Sequence, residues 1–255
     1  MKQMLIFIIS VTMLLFQCSE RKPSFKNGAK LIDHTKWDHL LNKYVDSNGL
    51  VDYVGFIKDS VQLNVYLNNL KENPPDIHTS ETEKIAYWIN VYNAFTIKLI
   101  IKYYPVKSIK DIGSTIQIPL INTPWDIKFI QIQDKKLDLN TIEHSILRKE
   151  FNEPRIHFAI NCASMSCPRL RREAYIGEKL NGQLEQQAID FINDSSQNHI
   201  EKNQAELSKI FSWFKSDFTK NGSLLNFINN YSSIQIDRDA KISFKDYDWL
   251  LNDQK

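Results

Sequence analysis

The apolar positions of this chain fall into runs whose spacing changes along its length, and each change marks an element. Trp37, Leu40, Leu41 and Tyr44 recur at three- and four-residue intervals, which predicts a helix over 35–45 with one buried face. A second helix is expected over 60–70, and Asn48-Gly49 between the two reads as a turn. Ser80-Glu81-Thr82-Glu83 has the spacing of a capping box, in which the serine hydroxyl bonds the amide three residues on. The helix it opens carries Ile85, Trp88, Ile89, Tyr92, Phe95, Leu99 and Ile100 and has to stop before Pro105. An apolar surface on most sides predicts a central, buried helix.

Farther on the pattern shortens. Residues 116–133 are rich in β-branched and aromatic side chains but interrupted by Pro119 and Pro124, so irregular chain followed by a strand over 126–133 is expected, turned by Asp134-Lys135-Lys136. Asn140-Thr141-Ile142-Glu143 predicts a second capped helix, running through Arg148, with Glu143 as a capping residue. Residues 155–161 read as a compact strand, with His157, Ala159 and Asn161 on one face. Helices are expected over 178–193, 207–219 and 223–231, and strands over 199–202, 234–237 and 241–244. Helices and short strands mix without a βαβ rhythm. The expected class is α+β, a single helix-rich domain over 31–255 around a small, mainly antiparallel sheet.

Ahead of that domain the pattern is of another kind. Met1-Lys2-Gln3-Met4 precedes an almost unbroken apolar run from Leu5 to Phe16, the layout of a secretory signal and too short to cross a bilayer. It leads into Leu15-Phe16-Gln17-Cys18-Ser19, which resembles a lipobox, with Gln17 where a small residue is usual. The expectation is a signal over 1–18, a lipid on Cys18, a polar tether over 19–30 and a domain held to the membrane of the cell envelope. An ordinary cleaved signal is the plainer alternative.

Charge narrows the partners. With 32 basic and 30 acidic residues the formal charge is +2, and no dense basic stripe makes an electrostatic case for nucleic acid. Only seven glycines occur, none in a phosphate-binding turn, so no nucleotide cofactor is expected.

Candidate chemistry gathers where polar groups interrupt apolar surroundings. Cys162 follows the expected strand, in a loop position from which catalytic groups often project. His144, in the first turns of its expected helix, would be kept neutral by the positive end of the macrodipole, as a general base requires. If His144 or His157 reaches Cys162, the thiol can ionise and attack an acyl centre, with Asn90, Asn93 or Asn161 orienting the imidazole or donating to an oxyanion. The blander readings are a hydrogen-bonded structural histidine and amides that satisfy loop backbone. Cys162 and Cys167 can also close a small disulfide loop outside the cytoplasm, or join both histidines around zinc.

The same blocks carry a family resemblance. Trp88-Ile89-Asn90-Val91-Tyr92-Asn93-Ala94, Ile142-Glu143-His144-Ser145-Ile146-Leu147-Arg148 and the segment from Arg155 to Pro168 resemble motifs of the family known as domain of unknown function 547. Val51-Asp52-Tyr53 and Asp248-Trp249-Leu250-Leu251-Asn252 are similar to its first and last elements, so the resemblance spans 37–252. It implies a presumptive site at Asn90, Asn93, His144, His157, Asn161 and Cys162, and fusions of some members to glutaredoxin fit a thiol-related or hydrolytic role. Three readings stay open: a cysteine-dependent hydrolase or acyltransferase, a lipid-anchored module binding a peptide, ester or glycan, and a redox or zinc protein built on Cys162 and Cys167.

Overall fold

The computed structural model describes residues 32–113 and 123–254. The signal segment, Cys18, the tether, and Ile116 with Pro119 lie outside the described residues. Four helices open the fold: α1 (Thr35–Tyr44), α2 (Tyr53–Lys58), α3 (Ser60–Glu72) and α4 (Glu81–Tyr103). Ser80 accepts from the Glu83 amide at 3.2 Å, and α4 stops one residue short of Pro105, as its caps and breaker dictate. Every residue from Ile85 to Ile97 is buried, and α2, α3 and a later helix over Leu180–Asn193 pack around α4. Helix α2 is absent from the sequence reading. Its six residues give too short a pattern, and Asp52 caps it by accepting from the Gly55 amide at 2.7 Å.

The central segment departs most from expectation. Strand β1 covers only Ile130–Ile132 and pairs antiparallel with β2 (Lys135–Leu137), because Pro124–Asp126 forms a 3-10 turn and Gln133 turns the hairpin at φ 49°. The helix expected after Asn140 is a π-helix over Thr141–Leu147 continuing into α5 (Arg148–Glu150). Its capping box does not form. Asp138, not Asn140, accepts from the Thr141 amide at 2.6 Å, while Asn140 is itself helical and donates to Asp126. The strand expected over 155–161 is also corrected, to a 3-10 helix over Pro154–Phe158 followed by a turn. Pro154 starts it and Glu153 caps it. Among the described residues no strand pairs with it; instead the Asn93 amide side chain takes the Ala159 carbonyl (2.9 Å) and the Asn161 amide (2.9 Å).

Helix α6 (Leu180–Asn193) leads to a mixed sheet in which β3 (His199–Ile200) is antiparallel and β5 (Lys241–Phe244) parallel to the central β4 (Gln204–Leu207). The helix expected over 207–219 breaks at Phe214 into α7 (Lys209–Trp213) and α8 (Lys215–Phe218), and α9 is Leu224–Asn229. Residues 234–237 form no strand, since Asn229 satisfies both the amide and the carbonyl of Ile236. The class is α+β, with two small sheets where one was expected.

Two apolar cores result. The larger surrounds α4; the smaller lies between α6, α7, α8, α9 and the mixed sheet. The 3-10 turn joins them, sending Ile156 and Ile160 into the first and Phe158 into the second. The chain end then returns across this junction: Ser164 bridges Leu251, the Met165 amide donates to the Leu250 carbonyl at 2.8 Å, and Val51 bridges Asp253. At Gly49, φ 79°, a Cβ would come within 2.8 Å of the Arg169 backbone, so the first turn of the domain is pressed against the exit of the cysteine loop.

Candidate functional site

The loop after the 3-10 turn is shaped by one amide. Asn161 donates from Nδ2 to the Pro168 carbonyl (2.8 Å) and accepts at Oδ1 from the Ala163 amide (2.8 Å), drawing the loop ends together. Ala163 adopts φ 61°, a left-handed conformation that costs a non-glycine residue of order 1 kcal/mol. In the ring so formed Cys162 Sγ lies 2.7 Å from Cys167 Sγ, both thiols free.

Of the two sulfurs Cys167 has the closer donors, since the Ser164 and Tyr247 hydroxyls lie 3.6 Å from Cys162 Sγ. Cys167 Sγ accepts from the Cys162 amide (3.0 Å), the Ser164 hydroxyl (3.2 Å) and the Tyr247 hydroxyl (3.3 Å). Burial by itself would raise its pKa, but hydrogen bonds from Cys162, Ser164 and Tyr247 outweigh that and hold the thiol below its ordinary range. Cys162 is pushed the other way, first by its bond to Cys167 and then by burial. Of the two, Cys167 is therefore the thiol that ionises more readily and Cys162 the one that keeps its proton longer. Cys162 is partly exposed while Cys167 is buried.

Both sulfurs line a cleft of about 180 Å3 between the two cores. On one side stands an imidazole wall. Asp217 Oδ2 accepts from Arg148 Nε at 2.6 Å and from His157 Nε2 at 2.8 Å, and these bonds hold its carboxyl below the usual range against the opposing effect of burial. His157 stacks on Phe214, centroids 3.9 Å apart, and its buried Nδ1 has no partner among the described residues. His144 Nδ1 faces Arg148 Nη1 at 3.0 Å. Both imidazoles are lowered in pKa by burial first, Arg148 adding to the effect. For His144, desolvation and the Arg148 guanidinium both favour the neutral ring. The mouth is aromatic: Trp249 lies 4.5 Å from Tyr247, 5.5 Å from Trp125 and 5.8 Å from Trp213, centroid to centroid.

The structure thus brings Cys162, His144 and His157 to one cleft, but the sulfur is bonded to Cys167, Ser164 and Tyr247 and the imidazoles to Arg148 and Asp217. Among the described residues no group of three or more His, Cys, Asp or Glu side chains is placed to hold a metal ion, so the four zinc donors foreseen do not converge. The asparagines hold backbone. Asn90 clamps both polar atoms of the Tyr175 backbone (2.7 and 3.0 Å), Asn93 clamps the 3-10 turn and Asn161 the loop. None of the three lines the cleft.

Four contributors escaped the sequence reading. Glu143, read as a cap, is a buried carboxyl in the cleft, with Tyr92 Oη 3.4 Å from its Oε2 and burial raising its pKa to about 7. Ser164 lay inside the Arg155 to Pro168 block but was given no role, while Asp217 and Tyr247 lay in stretches with no distinctive pattern. A usable sign was present for Tyr247: four aromatic or aliphatic residues, Tyr247, Trp249, Leu250 and Leu251, crowd an otherwise polar chain end.

The family model described as "Protein of unknown function, DUF547" matches residues 77–192, a span that includes α4, the π-helix, the 3-10 turn, the cysteine loop and all but the last residue of α6. No curated protein and no solved structure matches the chain.

Proposed function

The chain belongs to that family through residues 77–192, and we propose that its cleft performs thiol–disulfide exchange, with Cys162 as the substrate-facing sulfur and Cys167 as the stabilised partner. The observation that carries this reading is the set of three donors converging on Cys167 with the Cys162 sulfur 2.7 Å away. A disulfide sulfur is displaced fastest when the departing thiol has a low pKa, and Cys167 is the better leaving group. In the oxidised protein a substrate thiolate attacks Cys162 Sγ, the Cys162–Cys167 bond breaks, and its electron pair leaves on Cys167. A second substrate thiolate then attacks the substrate sulfur of the mixed disulfide and expels Cys162, which takes up a proton. Two electrons pass from a substrate dithiol to the pair, and an external disulfide restores the starting state. Run in reverse, the same steps reduce a substrate disulfide.

The reading fits an exported domain, because disulfide chemistry persists outside the cytoplasm. The apolar run 5–16 and the lipobox-like Cys18 support a lipid-anchored protein of the cell envelope, which incorporation of labelled fatty acid into the wild type but not Cys18→Ala would establish.

The test uses the full chain carrying Cys18→Ser, in which Cys162 and Cys167 are the only thiols. Equilibrated across a series of glutathione redox buffers, it should pass from two alkylatable thiols to none in one step. Cys162→Ser or Cys167→Ser should keep its remaining thiol alkylatable or linked to glutathione. Two thiols persisting in every buffer would overturn the reading, and thioester hydrolysis lost in both Cys162→Ser and His144→Ala would replace it with acyl transfer.

A further inference from the structure

The exchange steps leave one buried ionisable group of the cleft without a task. Glu143, on the π-helix, is 8% exposed and lines the cleft together with Cys162 and Cys167. A carboxyl is rarely buried without full pairing, since taking it out of water is costly. Here the pairing is thin: Tyr92 Oη lies 3.4 Å from Oε2, and among the described residues Oε1 has no hydrogen-bond partner. A buried oxygen left open beside a reactive pair points to a ligand that brings a proton. The charges around it come from every neighbouring element. Burial is the largest influence and raises the carboxyl to about 7; Cys167 in the loop and Asp217 in α8 add to it, while Arg148 and the Tyr92 hydroxyl favour the carboxylate. His144 and His157, on the same cleft, are shifted by burial toward neutral rings. At the mouth stands a cation, Lys110, with Nζ 3.8 Å over the ring of Trp249.

Resting on the exchange reading, we propose that Glu143 is a catalytic residue of the exchange, taking the proton of a neutral substrate thiol inside the cleft so that the attacking thiolate forms beside Cys162. A cleft of about 180 Å3 holds little more than one side chain, so a thiol seated on Cys162 shares it with the carboxyl. In the oxidised protein the thiol proton passes to the Glu143 carboxylate as the substrate sulfur bonds to Cys162 Sγ. The Cys162–Cys167 bond breaks, and its electron pair leaves on Cys167. Charge explains the arrangement. A substrate arriving as thiolate would set a second negative charge beside the carboxylate in a site with little water to screen it. A neutral thiol adds none: the charge moves from Glu143 to Cys167, where the Cys162 amide, Ser164 and Tyr247 are already placed to receive it. In the second half Glu143 hands its proton to the departing Cys162 and takes that of the second substrate thiol. A proton acceptor works best with a pKa near the working pH, and burial supplies that here.

The experiment follows the rate at which dithiothreitol reduces the oxidised full chain carrying Cys18→Ser, in which no protein thiol titrates, from about pH 5 to about pH 8.5. Without a proton acceptor the rate climbs about tenfold per pH unit with the thiolate fraction, up to the thiol's own pKa. With Glu143 as acceptor it should level off near pH 7 or slightly below, because Cys167 carries no charge in the disulfide. Glu143→Gln should lose this bend and react at least about tenfold slower at pH 6. Glu143→Asp should keep the bend at a lower pH, since an aspartate ionises more readily, and it carries the decision if Glu143→Gln fails to fold. A rate that climbs without a bend, or a bend unmoved by either substitution, with the disulfide still forming in glutathione buffers, would overturn the role of Glu143 and leave the exchange reading standing. Failure to form any disulfide would overturn both.

Discussion

The two walls of the cleft contain the ingredients of the same chemistry and use them differently. On the sulfur wall, two thiols face one another and are hydrogen-bonded by a backbone amide, a serine and a tyrosine. On the imidazole wall, two histidines are paired with Arg148 and Asp217, and one is stacked under a phenylalanine. Cysteines and histidines lining one cleft, with an aspartate behind one imidazole, invite a catalytic-triad reading. Which atoms are bonded decides otherwise: a base has to reach the nucleophile, and here the neighbours of sulfur are donors that stabilise a thiolate without accepting a proton. Proximity at the scale of a pocket is a weaker statement than pairing at 3 Å.

The sharpest way to break this comparison is to remove one member of each wall. Cys162→Ser should abolish exchange, because no single thiol can complete the cycle, while His144→Ala should slow it less than threefold. If His144→Ala matched the cysteine variant in a dithiol oxidation assay, the walls would be working as one unit. Stability should respond in the opposite order. Asp217→Ala strands Arg148 and His157, and with Asp217 and Arg148 only 12% and 23% exposed at their side chains the loss should be about 2–3 kcal/mol in urea unfolding. The cysteine variant, which removes one sulfur contact, should cost about 1 kcal/mol or less.

Legibility in the sequence differs between regions for a related reason. Helix α4 could be read from its serine cap, its apolar period and Pro105, since each of these acts locally. The segment from Arg155 to Asn161 could not. Its residues from Ile156 onward are buried on all sides, so alternation has no solvent face to report, and a short apolar run looks the same as strand or as 3-10 turn. Asn93, 66 residues away, supplies the bonds that a neighbouring strand would have made. The site was legible as a set of blocks and not as a geometry. Cys162, His144 and His157 were found because polar residues in apolar stretches stand out, whereas Asp217 and Tyr247 arrive from ordinary-looking chain through tertiary contact. Glu143 was hidden by a local motif that competes with the real cap, Asp138.

Glu143 sharpens the comparison through pH. Its pKa in the folded protein is raised to about 7 from an ordinary 4.5, so the native state binds an extra proton between these values. The stabilisation is complete below about pH 4.5 and is lost as pH rises through 7. For this group alone, unfolding free energy should fall by about 2 kcal/mol between pH 5 and pH 8. Asp217 runs in the other sense, since its depressed pKa contributes stability above an ordinary 3.8 that is lost on acidification below it. The two windows do not overlap, so the difference between wild type and Glu143→Gln, followed by urea unfolding from pH 5 to 8, isolates the carboxyl. A flat difference would mean that Glu143 is ionised in the fold and adds its own negative charge beside the sulfurs.

The smallest expected effect belongs to a single hydroxyl. Tyr247→Phe keeps the ring that packs against Trp213 and Trp249 and removes only the donor 3.3 Å from Cys167. A hydrogen bond to a charged acceptor is worth about 1.5–3 kcal/mol, and with the Cys162 amide and Ser164 still in place the lower end applies. One pKa unit corresponds to about 1.4 kcal/mol, so the thiolate pKa should rise by about one unit, and Cys167 alkylation by iodoacetamide near neutral pH should slow by up to about tenfold. The measurement is made in Cys162→Ser, where only one sulfur titrates, and it separates the walls cleanly. An unchanged alkylation pKa in Tyr247→Phe, together with a raised one in His144→Ala, would show that the imidazole and not the phenol governs the sulfur, and would return the cleft to the chemistry of a cysteine activated by a base.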